Sequence, residues 1–182
     1  MSEYSSLYIN IEITEEKLNQ FFLDKPVSQV LDDDWQRWWD SRKMYGKQSL
    51  EQLPAYSTAT NRNVFDELLQ DSDFGAKEFY DSASQEWIFI AVFFSENYNE
   101  ILPMLSLLKS LASYQESTQR GVAFVYDFCW GHHEVMAYLE FADQKALLKE
   151  YITPGEIASV IIEEADRRIE QAVADFNNQF KD

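Results

Sequence analysis

The chain has 182 residues, of which 46% are hydrophobic and 15% aromatic, and its 32 acidic and 15 basic residues give a formal net charge of −17. This length and apolar content are enough for one sizeable core, so residues 1–182 are expected to form a single domain. The acids are spread over both halves, which excludes the basic stripe that binds nucleic acid or an anionic membrane. Such a charge favours a basic partner instead.

The cellular compartment follows from cysteine usage and hydropathy. The single cysteine cannot form an internal disulfide, and the N-terminus MSEYSSLYINIEI has no basic segment followed by an apolar run. The longest apolar run, Trp87 to Phe94, is too short to span a bilayer. We therefore expect a cytoplasmic protein without a membrane partner.

The first predicted element is a half-buried strand from Leu7 to Ile13, where apolar and polar residues alternate. Thr14 is placed to cap the helix that follows, and Pro26 favours an end to that helix just before it. A second helix is expected within residues Ser28 to Tyr45.

Three tryptophans recur at helical spacing within this second helix: Trp35, Trp38 and Trp39. They predict a stripe that faces the core, with an aromatic anchor at an interface as the alternative. The acidic triplet from Asp32 to Asp34 is interpreted as a solvated helix start.

Residues 46–63 are predicted to form a long loop, because they include Pro54 and the polar run STATNRN. Loops of this length in compact domains tend to be functional or mobile. Asn63 is expected to cap the short helix that follows.

A first hairpin is predicted from Ala76 to Asp81 and from Glu86 to Ser95. The run from Trp87 to Phe94 is apolar on both faces, which places it inside the sheet. The charges on the strand from Ala76 to Asp81 suit a sheet edge. A helix from Asn99 to Ser113 follows this hairpin.

A second hairpin, from Gly121 to Ala142, is predicted to be the centre of the fold. Gly131 and His132 would form its two-residue type II′ turn, because glycine adopts the positive φ which that turn requires. The register that follows pairs Phe124 with Leu139 and divides the side chains into a core face and a mixed face.

The mixed face of this hairpin is the predicted partner-binding surface. A tyrosine and a methionine with acids around them are the composition expected where a basic partner docks. The alternative is that a helix covers this face and the acids lie at its margin. The residues predicted to bind the partner are Asp127, Glu134, Met136, Tyr138 and Glu140.

The same hairpin holds the densest cluster of potential metal ligands: Cys129, His132, His133 and Glu134. Cys129 and His133 point to opposite faces in the predicted register, which disfavours both a zinc site and a Cys–His nucleophile oriented by Asp127. The sequence contains neither a phosphate-binding glycine motif nor G-x-S-x-G or HExxH. We predict no catalytic residue, metal or cofactor, and hence a protein that is not an enzyme.

The C-terminal part is predicted to be helical. A short helix is expected from Asp143 to Tyr151, and the capping box Thr153-Pro154-Gly155-Glu156 is expected to open a helix that could reach Phe180. The chain is thus predicted to be a single α+β domain, in which helices, one of them long and C-terminal, pack on a mainly antiparallel sheet of about five strands. Its middle resembles the β-α-β-β-α-β order of ferredoxin-like proteins.

In size, acidity, expected compartment and lack of catalytic motifs, the chain resembles the immunity proteins of bacterial toxin systems, such as contact-dependent growth inhibition. This class-level resemblance transfers no functional residue. It implies a non-enzymatic inhibitor that binds a basic toxin domain, often a nuclease, with electrostatic steering. Two alternatives remain: an acidic nucleic-acid mimic of the anti-restriction type, and a small-ligand-binding domain or enzyme with a pocket under residues 46–63 that uses Trp35, Trp38 or Tyr56.

Overall fold

In the computed structural model, which describes residues 3–181, six strands form one antiparallel sheet. The strands are β1 (Ser6–Glu12), β2 (Ala76–Asp81), β3 (Glu86–Ala91), β4 (Gly121–Tyr126), β5 (Val135–Ala142) and β6 (Lys145–Lys149). The helices are α1 (Glu15–Leu23), α2 (Asp33–Ser41), α3 (Asn61–Gln70), α4 (Tyr98–Leu111) and α5 (Ser159–Gln179). The predicted α+β class is confirmed, with six strands rather than about five.

The spatial order of the strands is β2-β3-β1-β4-β5-β6. The first four strands, with the intervening helices, follow the predicted β-α-β-β-α-β order, and β1 lies between β3 and β4. β2 forms one edge, as its charges predicted. β3 pairs on both sides and is buried on both faces, as its uninterrupted apolar run predicted.

The sheet separates two clusters of buried side chains. Helices α1 to α4 cover one face, called here the four-helix face, and helix α5 covers the other, called the α5 face. β1 shows the division: Leu7, Ile9 and Ile11 pack on the four-helix face, and Tyr8 packs on the α5 face. β1 is therefore buried on both sides, and the prediction of a half-buried strand was wrong because it did not include α5.

The central hairpin exists, but its predicted turn and register are wrong. Phe124 pairs with Tyr138, not with Leu139, and a register shift follows between Val125 and Tyr126. Residues 127–134, with a 3₁₀ turn at Phe128–Trp130, replace the predicted two-residue turn. Since side chains alternate along a strand, a shift of one residue moves each of them to the other face relative to its partner strand.

The segment predicted as a short helix after this hairpin is strand β6. Asp143 and Gln144 have φ of 52° and 60°, the left-handed conformation that a tight type I′ hairpin turn requires. Ala146 and Leu148 are buried, whereas Leu147 between them is 47% exposed. This alternation over a short segment is the pattern of a strand with one buried face.

Helix α2 contains a buried acid that was predicted to be exposed to solvent. Trp35, Trp38 and Trp39 are core residues, as predicted. Asp34, in contrast, is only 5% exposed; its carboxylate lies 2.6 Å from Lys109 Nζ and accepts the backbone N–H of Leu148 at 2.8 Å. The interpretation of the triplet as a solvated helix start is therefore wrong for Asp34, whose carboxylate also satisfies a backbone donor of edge strand β6.

Arg42, directly after α2, is a second buried charge. Its guanidinium donates to the backbone carbonyls of Val135, Met136, Glu150 and Tyr151 at 2.6–3.3 Å. These carbonyls belong to the start of β5 and to the segment after β6. One side chain thus ties the end of α2 to two separate parts of the chain and satisfies acceptors that burial would otherwise leave unpaired.

The helix starts follow local capping rules. Thr14 caps α1 as predicted, but Thr60, rather than Asn63, caps α3, and Asn63 is the third helical residue of that capping box. The Glu156 carboxylate accepts the N–H of Ile152 and Thr153 at a 3₁₀ turn, and α5 begins at Ser159. In the described part of the chain, no helix has both the length and the apolar content needed to cross a membrane.

Candidate functional site

The turn of the central hairpin is built by an aspartate side chain. The Asp127 carboxylate accepts the backbone N–H of His133 at 2.8 Å and of Glu134 at 2.9 Å. Gly131 has a φ of +129°, and His132 follows at +59°. Aspartate often closes a loop by accepting nearby backbone N–H groups, which here lengthens the turn beyond two residues.

The five residues predicted to bind a partner do not form one exposed face. Met136 is 7% exposed and packs on the four-helix face, whereas Tyr138 is 3% exposed and packs on the α5 face. Glu140 is half-buried, 3.6 Å from Lys149 Nζ, near the opposite end of β5 from the turn. Only Asp127 and Glu134 lie together, joined by backbone and side-chain hydrogen bonds at the turn.

The potential metal ligands of the hairpin are also dispersed. His133 is exposed, and Cys129 packs against the core of the α5 face, where burial raises the pKa of its thiol. Among residues 3–181, no three His, Cys, Asp or Glu side chains are grouped in a way that could hold a metal ion. A protonated, half-buried thiol is a poor nucleophile or metal ligand.

The other histidine of the turn, His132, contacts an aspartate of helix α5. His132 Nε2 lies 3.0 Å from the Asp166 carboxylate, which also accepts the Tyr126 hydroxyl at 2.8 Å. Burial, followed by this hydrogen bond and the Asp166 charge, raises the pKa of Tyr126. The arrangement connects the hairpin to α5 and keeps the tyrosine protonated.

A second candidate site is a cleft of about 760 Å³, called here the aromatic cleft. Its walls come from the N-terminal segment, the loop before α3, the segments that follow α3 and β3, the start of α4 and the end of α5. Six aromatic residues line it: Tyr4, Tyr56, Phe74, Phe93, Phe94 and Phe176. The volume falls within the range of about 300–1,000 Å³ that is usual for ligand sites.

The charge in the aromatic cleft has one sign. Asp71, Asp73 and Glu100 line it, and none of the described residues that line it is Lys, Arg or His. Burial, and after it the negative charges of Glu100 and Glu67, raise the pKa of Tyr56, so its hydroxyl stays neutral. The cleft therefore combines apolar walls with carboxylates that have no basic residue beside them in its lining.

One residue of this cleft was predicted from the sequence to line a pocket. Tyr56 was named for a pocket under residues 46–63, and it does line the cleft, whereas Trp35 and Trp38 are fully buried elsewhere. The remaining lining residues were missed, although Phe74 directly follows Asp73 and lies three residues after Asp71. An aromatic residue beside unpaired acids was the available signal.

A second cleft, of about 790 Å³, has mixed charge. Lys25, Lys109 and Lys145 line it together with Asp24 and Asp32. The Lys109 ammonium is already bound by Asp34, and these charges largely compensate one another. The lining of this cleft therefore favours neither a cation nor an anion, whereas the acidic lining of the aromatic cleft favours a cation.

A scan against protein-family models, a search of curated proteins and a search of solved structures each found no match to this chain.

Proposed function

We propose that this chain is a non-enzymatic binding inhibitor that neutralises a basic protein, in the manner of a bacterial immunity protein acting on a toxin domain in the cytoplasm. The observation that carries the proposal is an excess of unpaired acids at the surface. Within residues 3–181, Asp34 is the only buried acid. Every other described acidic residue is at least partly exposed.

The basic residues oppose this surface charge only weakly, because several are engaged inside the fold. Arg42 is 4% exposed and bound to backbone carbonyls, and the Lys109 side chain is 8% exposed and paired with Asp34. Others pair with neighbouring acids, such as Arg62 with Glu78 at 2.8 Å. The negative field that remains would attract a basic partner over long distances and speed its association.

Affinity capture from the producing cell, followed by mass spectrometry, tests this proposal. We expect one basic protein in a stable complex, and inhibition of that protein's activity when the purified chain is added. Because steering by charge is screened by salt, the dissociation constant should rise at least about tenfold between about 0.05 and 0.5 M NaCl. A small molecule that co-purifies without any protein partner would contradict the proposal, and an affinity independent of salt would remove the role of charge.

The second candidate is a small-ligand-binding domain, and the aromatic cleft favours it because Tyr56 and five other aromatic rings line a space of ligand size. This candidate predicts a small molecule in the purified protein. Native mass spectrometry of the chain before and after denaturation distinguishes it from the first proposal.

A further inference from the structure

We propose that the aromatic cleft binds an arginine side chain displayed on the surface of a basic partner protein. This inference depends on the proposed function only in naming a protein as the carrier of the arginine. It identifies a docking surface distinct from the hairpin face that the sequence predicted.

The walls of the cleft suit a flat cation. Phe93 and Phe176 meet edge to face with ring centroids 5.3 Å apart, and Phe176 also contacts Phe180 at 5.0 Å. The face of an aromatic ring carries a negative quadrupole that attracts cations, and a guanidinium can also stack on the ring through its own plane. Both properties favour arginine over the compact ammonium of lysine.

The carboxylates in the cleft also favour a cation. Asp71, Asp73 and Glu100 are exposed in the free chain, and a partner that covered them would remove their water. An apolar or neutral ligand would leave these charges without compensation, which is costly in a buried site. A guanidinium offers five N–H donors in a fixed geometry that matches carboxylates, so it compensates more than one of them.

The surroundings of the cleft suit a protein rather than a free small cation. Tyr4 is 42% exposed and lines the cleft, and Phe180, which contacts Phe176, is 67% exposed. Exposed aromatic residues beside a pocket are typical of interface anchors. The volume of about 760 Å³ also exceeds what one side chain fills, which leaves room for a neighbouring apolar residue of the partner.

The first test is an NMR titration of the full chain with the peptide acetyl-Gly-Arg-Phe-Gly-amide. We expect saturable amide shifts at Phe74, Asn99 and Glu100, next to or within the cleft. The same peptide with citrulline keeps the shape of arginine but not its charge, and it should bind at least about tenfold more weakly. Equal binding of the arginine and citrulline peptides would overturn the inference.

The second test uses two double variants with the same change in net charge. Asp73→Asn with Glu100→Gln removes two of the three acidic charges that line the cleft, and we expect it to weaken the affinity for the arginine peptide by about tenfold or more. Glu116→Gln with Glu163→Gln neutralises two exposed acids outside the cleft lining and should change the affinity less than about twofold. Equal effects of the two variants would mean that overall charge alone attracts the peptide, which overturns the inference.

Two further outcomes separate this inference from the proposed function. If a basic partner is captured and the cleft variant binds it as tightly as the parent chain, the inference is wrong and the proposed function stands. If no partner exists but the peptide binds with the expected dependence on charge and cleft acids, arginine recognition stands and the proposed function fails. Binding of tetramethylammonium without binding of the peptide would show a site for a free cation and would also overturn the inference.

Discussion

The two faces of the sheet bury aromatic side chains of different chemistry. On the four-helix face, the largest buried rings are tryptophans that do not titrate, including Trp35, Trp38 and Trp87. On the α5 face, Tyr8, Tyr126 and Tyr138 are each at most 3% exposed, and burial is the main reason that the pKa of each is raised. The α5 face is therefore the side where alkaline pH should act on fully buried tyrosines, whereas tyrosines of raised pKa on the four-helix face, such as Tyr56 and Tyr98, are only partly buried.

The polar contacts that stabilise the two faces also differ. The four-helix face includes the buried Asp34–Lys109 pair and the Arg42 guanidinium, each of which connects distant parts of the chain. The α5 face is covered by one helix, whose polar connection to the hairpin is Asp166, itself only partly buried. Regions with fewer buried contacts open at lower free energy, so α5 should separate from the sheet before the four-helix layer unfolds.

The largest expected effect comes from breaking the buried ion pair. Asp34→Ala should lower the free energy of unfolding by about 3–5 kcal/mol, because the Lys109 ammonium would stay buried without its carboxylate. The N–H of Leu148 would lose its acceptor as well. Urea unfolding followed by tryptophan fluorescence measures this loss.

The neighbouring acid provides a matched control for this variant. Asp33 is exposed in the same acidic triplet, and Asp33→Ala should cost about 1 kcal/mol or less, the usual contribution of an acid at a helix start. Similar losses of unfolding free energy for the two variants would contradict the inference that the effect of Asp34→Ala arises from the burial of Asp34 with Lys109. The double variant Asp34→Leu with Lys109→Met should recover much of the stability, since replacing both charges leaves neither one unpaired.

A smaller effect is expected from disconnecting α5. Asp166→Ala leaves the buried Tyr126 hydroxyl without its acceptor, which should cost about 1–3 kcal/mol. Hydrogen exchange should show a loss of protection in α5 and in the hairpin turn, with little change in β1 and β3. Glu163→Ala, an exposed position of the same helix, should stay within about 0.5 kcal/mol. An equal loss of protection in all strands would mean that the two faces unfold together.

The features that could be predicted from the sequence depend on residues close together along the chain. The strand predicted from Leu7 to Ile13, the Thr14 cap and the apolar run of β3 each depend on a local signal, and all three elements appear in the structure, although β1 is buried on both faces. The short alternation of β6 was mistaken for a helix, because a few residues do not distinguish the two periods. The α+β class was therefore accessible, whereas the complete set of elements was not.

The features that could not be predicted depend on distant partners. Asp34 is buried because Lys109, 75 residues away, neutralises it, and His132 is held by Asp166, 34 residues away. The predicted register of the central hairpin was wrong because the turn spans residues 127–134, where Asp127 accepts backbone N–H groups of the turn. Met136 and Tyr138 are buried because the four helices cover one face of the sheet and α5 covers the other. The aromatic cleft joins residues from Tyr4 to Phe176, so only the fold brings them together.

The smallest expected effect tests the difference between the two faces through pH. Tyr126 has a raised pKa in the folded chain, so the folded state keeps a proton that the unfolded state loses above about pH 10. Its contribution to stability is therefore complete below pH 10 and is lost progressively at higher pH. Tyr126→Phe should cost about 0.5–1.5 kcal/mol at pH 8, where only the hydrogen bond is lost.

Between about pH 9 and pH 11, the parent chain should lose about 1 kcal/mol more unfolding free energy than Tyr126→Phe, since the variant has no hydroxyl to ionise at this position. Urea unfolding at both pH values measures this difference. Tyr45→Phe is the control: Tyr45 is fully exposed when folded, so its removal should leave the parent pH dependence unchanged. If Tyr126→Phe and the parent chain lose stability in parallel, ionisation of this buried tyrosine does not weaken the α5 face, and the chemical difference between the two cores has no consequence for alkaline unfolding.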